Sequence, residues 1–255
     1  MKVCKFGGTS MANSEQIKKV CSIITSDKDR RVVVVSAPGK RFENDVKVTD
    51  MLIDCANKYL LNEDYESVLN DIVARYAEIA EDLGINDHIV KDIENNLRTR
   101  VSMSYNTAEK FMDRIKAAGE DNAARLVASY LESQGVHAQY MNPKDAGLFL
   151  SDEYGNARVL PQSFKNLSKL REIEGIIIFP GFFGYSLSGE VVTFPRGGSD
   201  ITGSILAAAL EVDVYENFTD VDSVFVASPK LINNPKAISE LTYREMRELS
   251  YAGFS

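Results

Sequence analysis

The first ten residues constrain the fold of this chain more than any other stretch. An apolar segment at residues 3–6 runs directly into Gly-Gly-Thr-Ser at residues 7–10, and a helical pattern begins at Ser14. This order lets backbone N–H groups approach an anion, and Lys5, just before the glycines, adds a full positive charge. A Gly-Gly pair alone is also common in ordinary tight turns. With the lysine and two hydroxyls at fixed offsets, the segment predicts a phosphate-binding turn.

The composition excludes several functional classes. The chain has 255 residues, 44% hydrophobic and 26% charged, so a substantial buried core is expected. A formal net charge of −8 argues against nucleic acid as the main partner, although a local cluster of Lys and Arg can still bind a nucleotide. Lys2 and Lys5 interrupt the first apolar stretch, and no apolar run reaches about 18 residues. We therefore expect neither a secretory signal nor a membrane partner.

Cysteine and histidine are sparse. Cys4, Cys21 and Cys55 lie far apart and form no C-x-x-C pair, which is typical of reduced core thiols in a cytoplasmic protein. His88 and His137 each lie among apolar residues without a companion at metal or triad spacing. We therefore expect no metal site and no histidine-based catalysis.

Strand-like and helix-like segments alternate along the chain. Four consecutive valines at residues 32–35 are typical of a strand that is buried on both faces. Further strand-like runs lie at residues 136–141, 176–179, 190–194 and 212–215, and helical patterns lie at residues 162–171, 199–210 and 243–251 and over most of residues 50–131. The alternation predicts an α/β fold with a largely parallel central sheet, and the long helical stretch predicts a helical excursion beside it.

A second glycine turn follows the strand-like run at residues 190–194. Its sequence, Pro-Arg-Gly-Gly-Ser-Asp at residues 195–200, again leads from a strand into a helix. Ser199 or Asp200 can cap that helix. Capping does not explain Arg196, whose planar guanidinium can hold a carboxylate with two hydrogen bonds. Two anion-binding helix starts in one chain are what transfer of phosphate to an anionic acceptor requires.

Two other polar segments leave alternatives open. Glu120 either faces solvent in the first turn of a helix, where the helix dipole favours it, or binds a substrate ammonium group. Residues 219–222, Thr-Asp-Val-Asp, follow a strand-like run. They either form an Asx turn with its carboxylates in water or contact a ligand at the carboxyl edge of the sheet. Lys230 either reaches a phosphate or stays solvated.

Three motifs together resemble the aspartate kinases of the amino acid kinase superfamily. They are Lys-Phe-Gly-Gly-Thr-Ser at residues 5–10, Phe-Pro-Arg-Gly-Gly-Ser-Asp at 194–200 and Thr-Asp-Val-Asp at 219–222, in the family's order. The resemblance implies a three-layer sandwich with a largely parallel sheet. Residues 1–255 would form one catalytic domain, with the helical excursion at about 50–131 and a nucleotide lobe at about 190–255. The family's C-terminal ACT regulatory domains would be absent from this chain.

The resemblance also implies a role for each motif residue. Lys5 would stabilise the transferring phosphoryl group, and Asp200 would orient the cations and the substrate. L-Aspartate would be bound by Thr49, Glu120, Arg196 and Ser199, with Arg196 on its α-carboxylate and Glu120 on its amino group. ATP, which carries Mg²⁺ with it, would be bound by Lys5, Gly7, Gly8, Thr9, Ser10, Thr219, Asp220, Phe225 and Lys230.

Three positions depart from the family's pattern. Phe225 stands where a tyrosine near adenine is usual, and Lys230 where an arginine is common. Ser255 stands where the family commonly has a nucleotide-binding lysine. Phenylalanine can still stack on adenine but cannot donate a hydrogen bond, whereas Lys230 keeps the positive charge.

The resemblance implies a cytoplasmic, self-associating enzyme that phosphorylates the side-chain carboxylate of L-aspartate with ATP. The product, 4-phospho-L-aspartate, leads to lysine, threonine and methionine. One alternative is a sister kinase on the same fold with another acceptor, such as acetylglutamate, glutamate or a nucleoside monophosphate. Another is a weakly active chain that binds nucleotide or aspartate and acts as a regulatory partner. Arg196 and Glu120 favour a free amino acid as the acceptor.

Overall fold

The computed structural model describes residues 1–219, 224–225, 232–242 and 244–245. Contacts between Cα atoms divide the chain into two compact units, Met1–Phe218 and Thr219–Ser255. The larger unit contains the main sheet and its helices, and the smaller unit contains a short hairpin.

The strands and helices of the larger unit alternate along the chain. Its strands are β1 (Lys2–Phe6), β2 (Arg30–Val35), β3 (Ala138–Tyr140), β4 (Ile176–Pro180), β5 (Phe183–Tyr185), β6 (Val191–Thr193) and β7 (Val214–Phe218). Its α-helices are α1 (Ser14–Thr25), α2 (Val48–Leu60), α3 (Glu66–Leu83), α4 (His88–Ser102), α5 (Ala108–Lys116), α6 (Ala118–Ser133), α7 (Pro143–Ala146), α8 (Gln162–Leu167) and α9 (Gly198–Ala209). Short 3₁₀ segments lie at Gly8–Met11 and Ser168–Glu172.

Five of these strands form a parallel sheet in the order β3-β4-β2-β1-β7. Strand β1 lies between β2 and β7 and pairs with β2 through Cys4 and Val33, and with β7 through Cys4 and Glu216. Parallel neighbours require long crossover connections, so helices follow the strands and cover the sheet. The α/β fold class with a parallel central sheet, which the sequence predicts, is confirmed.

The strand β2 shows how the sheet separates two cores. Its four valines are all fully buried, as the unbroken apolar run predicts. Val33 and Val35 pack in a cluster with residues of α1 to α6, whereas Val32 and Val34 pack in a second cluster with residues of α8 and α9. Because successive side chains of a strand point to opposite faces, one run of valines supports both helical layers. The result is a three-layer arrangement.

The helical excursion follows the predicted pattern closely. Helices α2 to α6 run from Val48 to Ser133. Helix α3 ends at Gly84, whose φ of 68° is the left-handed conformation that glycine adopts without strain. Further upstream, α1 begins with a side-chain cap, because Asn13 Oδ1 accepts a hydrogen bond of 3.0 Å from the Gln16 N–H.

Three segments differ from the sequence prediction. The strand-like run at residues 136–141 pairs only over β3, and the helix at residues 162–171 changes to a 3₁₀ segment after Leu167. Residues 190–194 contain β6, which pairs antiparallel with β5 in a separate hairpin rather than in the main sheet. A tight turn at Gly189, with φ of 87°, reverses the chain and brings β6 back along β5.

In the smaller unit, β8 (Val224–Phe225) pairs antiparallel with β9 (Ala237–Ile238). Asp220, Lys230 and Ser255 lie outside the described residues, as does most of the predicted helix at residues 243–251. Within the described ranges, no helix has the length and apolarity that crossing a bilayer needs.

Gly119 lets helix α6 begin directly against the segment that follows β2. A Cβ atom on Gly119 would lie 2.7 Å from the Cβ of Ala37 and 3.2 Å from Cδ1 of Leu52. The first of these distances is shorter than real Cβ contacts. The missing side chain therefore allows a close approach that places the next residue, Glu120, beside the end of β2.

Gly119→Ala should lower the free energy of unfolding by about 1–3 kcal/mol, because the added methyl group overpacks this contact. This decrease in the free energy of unfolding should be measurable by urea unfolding. It should outweigh the higher helix propensity of alanine over glycine. A double-mutant cycle with Ala37→Gly provides the control, since the second change removes the atom that the new Cβ meets. Strictly additive effects of the two substitutions would contradict this explanation.

Candidate active site

A cavity of about 500 Å³ opens in the larger unit where several strands end. Gly7, Ser36 and Phe194, which follow the ends of β1, β2 and β6 within one residue, all line it. Open parallel sheets bind ligands at this edge. The cavity brings together eight of the predicted site residues: Lys5, Gly7, Gly8, Thr49, Glu120, Arg196, Ser199 and Asp200. Both glycine turns therefore face one space.

The first glycine turn is held by a close backbone contact with the segment after β2. The Gly39 N–H donates a hydrogen bond of 2.8 Å to the Gly8 carbonyl. A Cβ on Gly39 would lie only 2.6 Å from the Gly8 carbonyl carbon. Glycine at position 39 therefore permits an approach that a larger residue would prevent, and this contact fixes the turn at the cavity wall.

An ion pair joins the two glycine turns. Lys5 Nζ lies 2.8 Å from Asp200 Oδ1, and the lysine is only 8% exposed. Asn217 Nδ2 donates a second hydrogen bond of 2.9 Å to the same carboxylate oxygen. Lys5 and Asn217 are register partners in the pairing of β1 with β7. The sheet therefore sets where Asp200 can bind, and Asp200 holds the lysine at the cavity.

The second glycine turn places its polar residues inside the first turn of helix α9. Gly197 precedes the helix with φ of 82°, a conformation that favours glycine. Gly197 is the N-cap residue of α9, and neither Ser199 nor Asp200 caps it, so the interpretation of one of them as a cap is wrong. Ser199 is buried against Gly181, where a Cβ would lie 2.5 Å from the serine Oγ. Asp200 does not cap the helix but forms the ion pair with Lys5.

Arg196 presents an exposed cation at the mouth of the cavity. Within the part of the chain that the structure describes, its guanidinium makes no ion pair. Its donors are therefore open to a ligand carboxylate, which a guanidinium can bind through two parallel hydrogen bonds.

Glu120 is buried rather than facing solvent, so the solvent-facing alternative is wrong. The residue is 5% exposed, and its Oε2 atom is buried without a hydrogen-bond partner among the described residues. Burial raises the pKa of its carboxyl group to about 8, and a backbone hydrogen bond at Ala37 offsets only part of this effect. A buried carboxyl group with a free oxygen beside a polar cavity is suited to a cationic ligand.

Lys116 is a cavity residue that sequence reasoning missed. Its Nζ lies 2.8 Å from Asp113 Oδ1 and donates a hydrogen bond of 3.2 Å to Thr193 Oγ1. The buried Asp113 also accepts hydrogen bonds of 2.8 Å from the N–H groups of Gly155 and Thr193. An Asp and a Lys three residues apart also occur on many exposed helices. The sequence therefore carries no signal that marks this pair.

Phe182 is a second cavity residue without a sequence signal. Its φ of 74° lies in the left-handed region, which is strained for a residue with a side chain. The surrounding structure holds this conformation: the Phe182 N–H donates a hydrogen bond of 3.1 Å to Thr202 Oγ1, and its carbonyl accepts one of 2.9 Å from Phe194. Strain of this kind is concentrated at ligand sites.

Of the other predicted residues, Thr9 and Ser10 are not among the described residues that line the cavity. Thr9 and Ser10 lie in the 3₁₀ segment that follows the first glycine turn. Thr219 and Phe225 belong to the smaller unit, and Asp220 and Lys230 lie outside the described residues. Over the described ranges, no group of three or more His, Cys, Asp or Glu residues could hold a metal ion.

Solved structures of known proteins share this fold. An aspartate kinase from Clostridium acetobutylicum superposes with a TM-score of 0.81 at 34% sequence identity, over 98% of this chain and 54% of that chain. E. coli aspartokinase III in complex with aspartate and ADP superposes with a TM-score of 0.82 at 25% identity, over 98% of this chain and 56% of that chain.

Sequence relatives agree with the structures. Aspartokinase 3 of Bacillus subtilis is 56% identical over the full 255 residues, which cover 56% of that protein. A chloroplastic bifunctional aspartokinase/homoserine dehydrogenase 2 of Arabidopsis thaliana is 31% identical over 98% of this chain and 28% of that protein. The chain thus spans about half or less of the length of these relatives. The resemblance to aspartate kinases that the motifs indicate is confirmed.

The family model matches the whole chain. The model of the amino acid kinase family aligns with residues 1–255. It covers every strand and helix described above, including both glycine turns and the cavity between them. The chain therefore belongs to the amino acid kinase family.

Proposed function

We propose that this chain transfers the γ-phosphate of ATP to the side-chain carboxylate of L-aspartate. The product would be 4-phospho-L-aspartate, an acyl phosphate that leads to lysine, threonine and methionine. The likeness to Aspartokinase 3 of B. subtilis and to an E. coli aspartokinase III that binds aspartate and ADP supports this proposal.

One observation carries the choice of acceptor. The cavity contains both a buried Glu120 carboxyl group with an unpartnered oxygen and an exposed Arg196 without an ion pair among the described residues. An α-amino acid offers one ammonium group and one α-carboxylate, which match these two side chains in charge. Acetylglutamate has no ammonium group, so it would leave the Glu120 oxygen unsatisfied. Thr49 and Ser199, which line the same cavity, would bind the remaining polar atoms of aspartate.

The chemistry requires positioning and charge compensation rather than a general base. The side-chain carboxylate of aspartate has a pKa of about 3.9, so it is already an anionic nucleophile at neutral pH. The main barrier is the approach of this anion to a phosphoryl group that is also negatively charged. Lys5 would neutralise charge on the transferring oxygens. Asp200, which forms the ion pair with Lys5, would keep that cation in position.

The nucleotide half of the site extends from the first glycine turn. Backbone N–H groups at Gly7, Gly8, Thr9 and Ser10 would approach the phosphates of ATP. Thr219, Asp220, Phe225 and Lys230 would contact the rest of the nucleotide. Mg²⁺ would enter bound to ATP and reduce the negative charge of its phosphates.

We further propose that residues 1–255 act as a catalytic domain with its helical excursion at about residues 50–131 and its nucleotide lobe at about residues 190–255. We expect the protein to act in the cytoplasm and to self-associate.

The direct test is an assay in which hydroxylamine traps the acyl phosphate as a hydroxamate. We expect ATP-dependent hydroxamate from aspartate and much less from glutamate or acetylglutamate. Product from another acceptor alone would support a sister kinase instead. Tight aspartate binding without hydroxamate would support a regulatory chain.

Lys5→Met should reduce kcat by at least about 100-fold, because it removes the cation that compensates the transferring phosphoryl group. Methionine has a similar length and should preserve the fold, which circular dichroism would verify. Lys2→Met is the matched control, since Lys2 lies on the same strand but pairs with Asp27 and Glu216. Near-normal turnover of the Lys5 variant would rule out this role.

Arg196→Ala should raise the KM for aspartate by about 10- to 100-fold, because a charge-assisted pair with the α-carboxylate is lost. The effect on kcat should be smaller. Arg158→Ala serves as the control, since Arg158 is largely exposed and pairs only with Glu153 among the described residues. An unchanged KM for aspartate would count against the assignment.

Glu120→Gln should make the unliganded protein more stable than the wild type at high pH. The same substitution should weaken aspartate binding. The folded-state pKa of Glu120, about 8, exceeds its ordinary value of 4.5, so the folded state retains a proton that the unfolded state loses between these values. The stability of the wild type should therefore fall over this range. At pH 8 the variant should be more stable by up to roughly 4 kcal/mol.

Chemical unfolding at several pH values tests this expectation. The gap between Glu120→Gln and the wild type should close near pH 4.5. Glu132→Gln, a change at an exposed position of the same helix, should show no comparable gap. A stability difference that does not depend on pH would show that ionisation of Glu120 is not its cause.

A further inference from the structure

A second cavity lies in the larger unit and shares no lining residue with the first. Its volume is about 570 Å³. Helices α5 and α6 contribute to both cavities: Arg114 and Arg125 line the second, whereas Lys116 and Glu120 line the first. The two cavities are therefore lined by different residues of the same two helices.

Positive charge is concentrated around the second cavity. Arg100, Arg114, Arg125 and Lys144 line it, against the acidic residues Asp92 and Glu190. Glu190 Oε1 also lies 3.7 Å from the Nζ of Lys110, a residue that does not line the cavity, and its charge favours the protonated form of Arg114. The chain as a whole carries a net charge of −8, so the sign of this cluster is opposite to that of the whole chain.

Asp121 provides only part of the compensating charge. It is fully buried and accepts hydrogen bonds of 2.9 Å from Arg100 and 3.5 Å from Arg125. Tyr140 and Asn96 also donate to it. One carboxylate therefore serves two guanidinium groups, and its oxygens are already occupied by these donors.

Arg114 lacks a carboxylate partner in the described part of the chain. It is 8% exposed, and two of its nitrogens donate to the carbonyl groups of Met103 and Ser104 at 2.7 and 3.0 Å. Its Nε is buried and has no hydrogen-bond partner within the described ranges. A buried charged group with an unpaired donor is costly unless an anion completes it.

We propose that this second cavity binds a small anion with two or more carboxylate or phosphate groups. Arg114, Arg125 and Lys144 are its recognition residues, because guanidinium groups hold both kinds of anion with paired hydrogen bonds and lysine adds a point charge. Lys144 is exposed and also lies 5.7 Å from the centre of the Tyr185 ring, which lines the same cavity. The volume accommodates a molecule larger than a single phosphate ion.

Calorimetric titration of the 255-residue chain with citrate and with pyrophosphate at low ionic strength tests the site. Arg125→Gln and Lys144→Gln should each weaken binding at least about fivefold. Lys144 is exposed, so its variant should retain the wild-type melting temperature even where the Arg125 variant is destabilised. Lys165→Gln, at an exposed lysine that lines neither cavity, should leave the affinity unchanged.

The active-site variant Arg196→Ala separates the two cavities. It should retain a binding event that remains sensitive to Lys144→Gln. Stronger binding of citrate would identify carboxylates as the preferred ligands, and stronger binding of pyrophosphate would identify phosphates; either supports the site. The proposal fails if neither anion binds at about 10 mM. It also fails if Arg196→Ala abolishes all binding while Lys144→Gln and Arg125→Gln change nothing.

Discussion

The ion pair between Lys5 and Asp200 is the interaction on which the arrangement of the site depends. Its two residues come from different glycine turns nearly two hundred positions apart, yet their charged atoms lie 2.8 Å apart. The parallel pairing of β1 with β7 fixes the position of this contact, because it places Asn217 beside Lys5. Asn217 donates a hydrogen bond to the same Asp200 carboxylate. The sheet thus brings two turns that are far apart in the sequence to the wall of one cavity.

The cavity contains groups that do not stabilise the unliganded protein. Glu120 is buried with a raised pKa and an oxygen that has no partner in the described part of the chain, and Phe182 has a left-handed backbone conformation. Each feature costs free energy in the unliganded protein. In the proposed function, the ammonium group of aspartate would compensate the Glu120 carboxylate. The same principle applies to the buried Arg114 at the second cavity, where a bound anion would supply the missing partner.

The sequence predicts those features that depend on local pattern. Four consecutive valines identify β2 as a strand buried on both faces, and the two glycine turns identify the cavity walls. The depth of Glu120 is not visible in the sequence, because it depends on the contact between Gly119 and Ala37. Lys116 is missed for the same reason: its position depends on how Asp113 binds the backbone of Gly155 and Thr193. Features that depend on long-range packing therefore cannot be predicted from local motifs.

In the proposed function, Glu120 and Arg196 would select an α-amino acid by its two charges. Calorimetric titration with aspartate, succinate and β-alanine tests it directly, since succinate lacks only the ammonium group and β-alanine lacks only the α-carboxylate. Aspartate should bind at least about tenfold more tightly than either analogue, because each loses one charge-assisted contact. Equal affinity for succinate and aspartate would contradict the role of Glu120, and equal affinity for β-alanine would contradict that of Arg196.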